Sequence, residues 1–257
     1  MVKIFFTEAD FNDWNEIINR INDNDVKLIK NIPNDINNII VIPLSFKIIE
    51  YILSKNLKSE NILCPNKYEI IEILNNKIKF YFFMIENNFS NLIPKMYVIN
   101  NKLINKIEWP AIYKLPKAYG GKESFICFNE NDLKKKNKDK EYFLQEYIIN
   151  KEEHSANLFI INGSIVWSVC YKIKNNLDYY IQKGKMSNYE KVTLSLEVFE
   201  PIFIKLNYIG PVCIDFKLNN NNEIKIFEIN PRFGGTFIHS KDFIELINFI
   251  KEYFMDK

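Results

Sequence analysis

Ile224–Thr236 reads IKIFEINPRFGGT, and the stretch runs as an alternating strand into Asn-Pro-Arg and a glycine pair. In an extended chain, side chains at i, i+2 and i+4 leave one face. Glu228, Asn230 and Arg232 therefore line up as two oxygen ligands and a guanidinium within one patch. Upstream, Asp215 lies inside the run Val212–Lys217, with the asparagines Asn219–Asn222 between the two runs. Asparagine tolerates positive φ, so the pattern predicts a hairpin. A four-residue loop would pair Leu218 with Glu223 and put Asp215 on the face of Glu228 and Asn230. Two carboxylates and a carboxamide oxygen suit a hard cation such as Mg²⁺. Arg232 at the same edge suits bidentate contact with a phosphate. It is one of only two arginines, with Arg20, in a chain that otherwise uses lysine.

The 257 residues allow one large or two small domains with a substantial core. Ile, Asn and Lys are heavily used, so asparagine runs by themselves carry no functional signal. A net charge of +2 gives no footprint for nucleic acid or a membrane surface. The basic run Lys134–Lys140 (KKKNKDK) reads as a solvated loop. Cys64, Cys127, Cys170 and Cys213 are scattered without a CxxC pair and read as buried thiols of a reducing compartment. MVKIFFTEADF shows no cleavable signal pattern, and no apolar run is long enough to span a bilayer. A soluble, cytoplasmic protein is expected.

Up to about residue 75, strand and helix patterns alternate. Val2–Phe6 and Ile39–Ile42 read as strands, Phe11 to Ile21 as a helix, and Ser45 as the cap of a helix carrying Ile48, Ile49 and Ile52. Ile62–Cys64 reads as a further strand before Pro65 and a helix from Lys67. These patterns predict a small parallel sheet with helices. Its first strand–helix turn has no glycine, so no dinucleotide fingerprint is present there. The segment from Leu74 reads as a helix ending before Pro94, with Asn76 and Lys77 near its start.

Further on, WPAIYKLPKAYGG (109–121) holds an apolar strand that closes on Lys114, whose charge must emerge at the strand end or be paired. Gly120 and Gly121, followed by Ser124, would let backbone N–H groups approach an anion. YFLQEYII (142–149) is another strand pattern. In EEHSANLF, Glu153, Ser155 and Asn157 share a face. Asn162-Gly163 signals a hairpin, and Leu194–Leu206 an amphipathic helix. His154 has no second His or Cys near it and reads as a surface or satisfied histidine.

In this chain order the landmarks resemble the ATP-grasp superfamily, the carboxylate–amine ligases related to carbamoyl-phosphate synthetase and the D-alanine ligases. The resemblance is closest at EINPR and spans roughly residues 60–240. It implies an α/β and α+β chain with a small N-terminal pre-ATP-grasp α/β domain (1–75) and an ATP-grasp domain (76–257). Within the latter it implies a lid at about 110–148 and a C-terminal antiparallel sheet. The cofactors implied are ATP and Mg²⁺. Asp215, Glu228 and Asn230 fall on the metal ligands, and Arg232 on the phosphate-contacting arginine. Lys114 falls on the lysine that reaches the α-phosphate, and Gly120 and Gly121 on the loop over the phosphates. The backbone of Glu146, Tyr147 and Ile148 falls on the adenine hinge, with the Glu146 side chain accepting from the adenine amino group. Glu153 falls on the ribose acid, and the register of the linker 150–152 leaves Glu152 as the alternative. Lys77 is a candidate phosphate contact, with Asn76 where Asp is usual; Lys172 or Lys174 would point at the transferred phosphate. Thr236 and Ser240 would receive the acceptor. Leu115 ahead of Pro116, and only two glycines in the loop, depart from the family pattern.

The activity implied is phosphorylation of a substrate carboxylate by ATP, then attack by an amine, with Lys114 and Arg232 offsetting charge on the phosphoryl group. Partners are then a small-molecule carboxylate and an amine, with no nucleic acid and no membrane; a homodimer is allowed. The alternatives are a kinase of the same fold and a nucleotide-binding module without turnover.

Overall fold

The computed structural model describes residues 3–7, 16–18, 21, 23–33, 35–36, 38–57, 59–100, 102–118, 120–121, 123–136, 140–181, 189–238 and 240–255. Three short β-branched runs, β1 (Lys3–Thr7), β2 (Val26–Ile29) and β3 (Ile39–Pro43), pair in parallel in the order β2-β1-β3. The expected parallel sheet is therefore present, although β2 went unread, being only four residues long. The strand expected at Ile62–Cys64 is a single parallel bridge from Ile62 to Val41. Pro65 follows at once and has no N–H with which to extend a ladder. Most of the helix expected over 11–21 lies outside the described residues; its Ile17, Ile18 and Ile21 are buried.

Helix α1 (Phe46–Ser54) is capped as expected, with Ser45 Oγ accepting from the Ile48 N–H at 3.4 Å. The helix expected from Lys67 is α2 (Tyr68–Asn75), and the one expected from Leu74 to Pro94 is α3 (Lys77–Glu86), which starts later and stops earlier. Asn76 breaks them: its backbone is extended, and its Oδ1 accepts from Ile78 N at 3.0 Å and Lys79 N at 3.2 Å. Either Asp or Asn can perform that capping, which accounts for the asparagine here. Helix α3 stops at Glu86, and Asn88 with φ 64° turns the chain into a 3₁₀ turn at Ser90–Leu92.

A first antiparallel sheet contains β4 (Met96–Ile99), β5 (Lys102–Leu103), β6 (Ala111–Lys114), β7 (Phe125–Cys127) and, after the short α4 (Glu130–Lys134), β8 (Phe143–Glu146). Its order is β5-β4-β8-β6-β7, so the segment 110–148 shares its sheet with two earlier strands. Lys134, Lys135 and Lys140 of the basic run pair with Glu130, Asp132 and Glu123 on the surface.

The second antiparallel sheet, ordered β11-β10-β9-β12-β13, is the larger. Strands β9 (Glu152–Ile161) and β10 (Ser164–Lys174) join through Asn162 and Gly163, both at positive φ, as the Asn-Gly signal predicts. Strand β11 (Glu190–Val192) closes one edge. A 3₁₀ turn at Glu197–Phe199 leads into α5 (Glu200–Leu206), which starts later than the expected Leu194 with Pro201 in its first turn. Strands β12 (Gly210–Leu218) and β13 (Ile224–Asn230) form the expected hairpin, followed by α6 (Gly235–Ile238) and α7 (Asp242–Met255). Phe159, Ile161 and Tyr171 on one face of this sheet pack with the N-terminal strands and α7. Ala156, Leu158, Ile160 and Phe216 on the other pack with α2, α3 and α5. The larger sheet is thus clamped on both faces. The four cysteines are buried and unbonded.

Candidate active site

The β12–β13 hairpin differs from the expected register, and the difference helps the site. Leu218 pairs with Ile224, not Glu223, so the turn is one residue longer than expected. Continued unchanged, that register would put Phe227 opposite Asp215 and send Glu228 to the core face. A β-bulge between Asp215 and Phe216 absorbs one extra residue, and Asp215 faces Glu228 directly. Phe227 and Glu228 consequently both line the same cavity.

That cavity, about 170 Å³, lies between the two antiparallel sheets. Lys77, Lys114, Gly120, Gly121, Glu146, Tyr147, Ile148, Glu153, Asp215 and Glu228 all line it. Ten of the residues singled out in the sequence are thereby brought together. Lys77, in the first turn of α3, places Nζ 2.8 Å from Glu228 Oε2 and donates to the Ala118 carbonyl at 2.8 Å. One ammonium thus bridges the large sheet and the turn before the glycine pair. Lys114 is buried at the end of β6, its Nζ 4.9 Å from the centroid of the Phe227 ring.

The electrostatics are uneven. Burial first, then the Glu228 and Glu153 charges, push Asp215 up to about 7. For Glu228 burial works upward too, but Lys77, by charge and hydrogen bond, and the Asn230 amide hold it down at about 2. Burial, then repulsion from Lys77, brings Lys114 down to about 8. Burial raises Glu153 against the pull of Lys217 and Lys114.

At the far end of the cavity, Glu146 accepts the Lys95 N–H at 3.0 Å, and Glu146 N donates to Lys95 O at 2.8 Å. The Tyr147 hydroxyl donates to Tyr180 O at 2.9 Å and accepts from Tyr180 N at 2.8 Å, which fastens Tyr180 to the strand end. Glu153 lines the cavity, while Glu152 pairs with Lys172 at 3.1 Å on the opposite face.

Asn230 and Arg232 stand just outside the cavity wall. Asn230 Nδ2 donates to Glu228 Oε1 at 3.2 Å; Arg232 donates to Phe233 O at 2.9 Å and, at 3.5 Å, to Asn230 Oδ1. The turn that carries Arg232 is keyed to the sheet by Gly234, whose N–H donates to the buried Asn157 Oδ1 at 2.7 Å. A Cβ on Gly234 would lie 2.6 Å from Cys213 Sγ, so glycine is required there.

Three readings are corrected. Lys172 lies across from His154, on the face away from the cavity, and Lys174 alternates onto that same face. His154 is neither on the surface nor satisfied: it is buried, stacks on Phe216 at 5.1 Å, and its Nδ1 has no partner among the described residues. Ser240 hydrogen-bonds with Tyr171 and Phe237 in the core next to α7; the Thr236 side chain lies outside the described residues. Sequence reasoning missed Lys217, Phe227, Tyr180 and Ile181 on the cavity wall. Lys217 was legible, since two steps along a strand from Asp215 return to the same face. Tyr180 was not, because it follows β10 in an irregular segment.

Among the described residues no three of His, Cys, Asp or Glu form a metal cage. Mg²⁺ does not need one, because it is held by one or two carboxylates and completes its octahedron with water and phosphate. Asp215 and Glu228 fit that pattern. Asp215 is crowded by two carboxylates, whose repulsion outweighs the pull of Arg232, and a divalent ion between Asp215 and Glu228 would relieve it. Asn230 would join only with its amide rotated, since its Nδ2 now faces Glu228.

Two antiparallel sheets closing on one cavity, behind a small parallel α/β unit, define the ATP-grasp fold. The sequence agrees: the model of the ATP-grasp domain matches residues 51–236, and the chain belongs to that family. No curated protein matches it. Among solved structures, phosphoribosylamine–glycine ligase from Thermotoga maritima superposes with a TM-score of 0.68 at 15% identity, over 92% of this chain and 70% of that one. D-alanine–D-alanine ligase from Bacillus anthracis, complexed with ATP, gives 0.58 at 15% identity, over 90% and 86%. N5-carboxyaminoimidazole ribonucleotide synthetase from Thermotoga maritima gives 0.58 at 17%, over 92% and 70%. At such identities the likeness is one of fold. No helix among the described residues is long and apolar enough to cross a membrane.

Proposed function

We propose that the chain is an ATP- and Mg²⁺-dependent ligase that phosphorylates a small-molecule carboxylate and joins it to an amine. The observation that carries this reading is the facing pair Asp215 and Glu228, set in one cavity with Lys77 and Lys114. Phosphoryl transfer needs positioning and charge neutralisation more than covalent help. Mg²⁺, held by Asp215, Glu228 and a rotated Asn230, supplies Lewis-acid neutralisation of phosphate oxygens when bound. Lys114 and Lys77 present ammonium groups to the phosphates, and Gly120 and Gly121 leave their backbone open to the same anion. Arg232, at the strand end, offsets charge on the group in transfer. Glu146, Tyr147 and Ile148 meet the adenine edge, and Glu153 accepts from the ribose hydroxyls. The three structural relatives named above, each a ligase or synthetase, support the same class of chemistry.

A product screen tests the proposal. The chain is incubated with Mg·ATP and pools of carboxylic and amino acids, with ADP and free phosphate followed separately and hydroxylamine added as a trap. A ligase releases both products and yields a hydroxamate from its acid without the natural amine. ADP release with the phosphate retained on a stable, untrapped product would replace the ligase by a kinase, with the same residues handling phosphate.

A further inference from the structure

Lys217 of β12 is 2% exposed, yet it lines the cavity. Its Nζ lies 4.1 Å from the Tyr180 ring centroid and 5.3 Å from that of Tyr147. Among the described residues it makes no hydrogen bond and no ion pair, and the carboxylate whose charge acts on it is Glu153. Two ring faces offset part of the cost of burying an ammonium, but they leave its three N–H donors unused. The position of those donors narrows what they can serve. Phe216 pairs with His154, so Lys217 and Glu153 come next in register on the cavity face. A donor next to an acceptor matches a vicinal diol, whose hydroxyls both accept and donate.

Resting on the nucleotide-site reading above, we propose that Lys217 is a specificity-determining residue that donates to a ribose hydroxyl while Glu153 accepts from its neighbour, so that the site selects ribonucleotides over deoxyribonucleotides. A hydrogen bond from a charged group, lost with its hydroxyl, corresponds to about tenfold or more in affinity.

The test is calorimetric titration of the full chain with Mg·ADP, Mg·2′-deoxyADP and Mg·3′-deoxyADP, for wild type, Lys217→Met and Lys217→Gln. Wild type should prefer ADP over at least one deoxy analogue by about tenfold. Lys217→Met, close in length but without a donor, should lose most of that preference, and Lys217→Gln, which keeps an N–H donor, should recover part of it. A merely structural lysine would lower all three affinities together and leave their ratio at the wild-type value; that result in Lys217→Met overturns the inference alone. Failure of wild type to bind any of the three would overturn the nucleotide reading itself, and the inference with it.

Discussion

The two antiparallel sheets that wall the cavity are built to different standards. The larger is packed on both faces, with Phe159 and Tyr171 in one core and Phe216 and Ile214 in another. The smaller has one cluster around Tyr97, Tyr113, Tyr142 and Leu144 and a second, slight one of Met96 and Phe143 against Ile78, and leaves Leu103, Phe125 and Phe128 exposed. The carboxylates Asp215, Glu228 and Glu153 stand on the first; Lys114 and the glycine pair stand on the second. Under the proposed function, the groups that would hold a cation in fixed geometry are on the well-packed element, and those that would approach and leave phosphate are on the lightly packed one.

Truncation probes that contrast most strongly. Phe216→Ala should cost about 3–5 kcal/mol of global stability, read from denaturant midpoints. Leu144→Ala should instead speed amide hydrogen exchange in β4, β6 and β8 while protection in β9 and β12 stays put. Uniform loss of protection in both variants would make the sheets one cooperative unit and abolish the distinction.

Next in size is Glu228→Gln, which keeps the shape but removes the charge that faces Lys77. Turnover should fall at least a hundredfold, about 3 kcal/mol of transition-state stabilisation, while nucleotide binding measured by thermal shift persists. Near-normal turnover in Mg²⁺ would remove the large sheet from the chemistry.

The smallest effect belongs to the small sheet. Lys114→Met should abolish most of the rise in Tm that Mg·ADP confers on wild type, about 3 kcal/mol at a hundredfold excess over Kd, and leave the apo chain folded. It also changes the pH profile. Folded Lys114 sits near 8, below the ordinary 10.5, so between those values the unfolded chain binds more protons and this group makes apo stability rise with pH. Below pH 8 the buried charge is a standing cost. Lys114→Met should therefore flatten the apo Tm profile between pH 8 and 10.5, and an unchanged slope would place the wild-type lysine in a wetter setting.

The part of the site that could be read beforehand was the part carried by strand alternation. Asp215, Glu153 and Lys114 each stand at a strand position whose face follows from period two, as does the sharing of one face by Glu228 and Asn230, although it takes the bulge to turn that face toward Asp215. Residues delivered by irregular chain, such as Tyr180, had no period to betray them. Between these lies Lys172: counted straight across the Asn-Gly hairpin it would oppose Glu153 on the cavity face, and a β-bulge between Ile165 and Trp167, which alternation does not show, moves it opposite His154 on the far face. The N-terminal unit was legible as a parallel sheet from its apolar runs, whereas β2, with Lys27 inside a four-residue strand, was too short to register. Capping, by contrast, was readable at Ser45 but not at Asn76, because LNNKIKF offers two adjacent asparagines in a chain where asparagine is common.

The bulge at Phe227 has a consequence for how this hairpin can change over time. It splits the ladder into an outer half, Phe216–Leu218 with Ile224–Ile226, and an inner half that holds Asp215 against Glu228. On β12 both halves are held by β9, with Phe216 on His154 and Asp215 on Ser155, so only the outer part of β13 takes its alignment from the asparagine turn. An insertion or deletion in that turn therefore slides the tip of the hairpin alone. The stagger stored at Phe227 works as an expansion joint, leaving turn length free to drift while the two acids keep their mutual address.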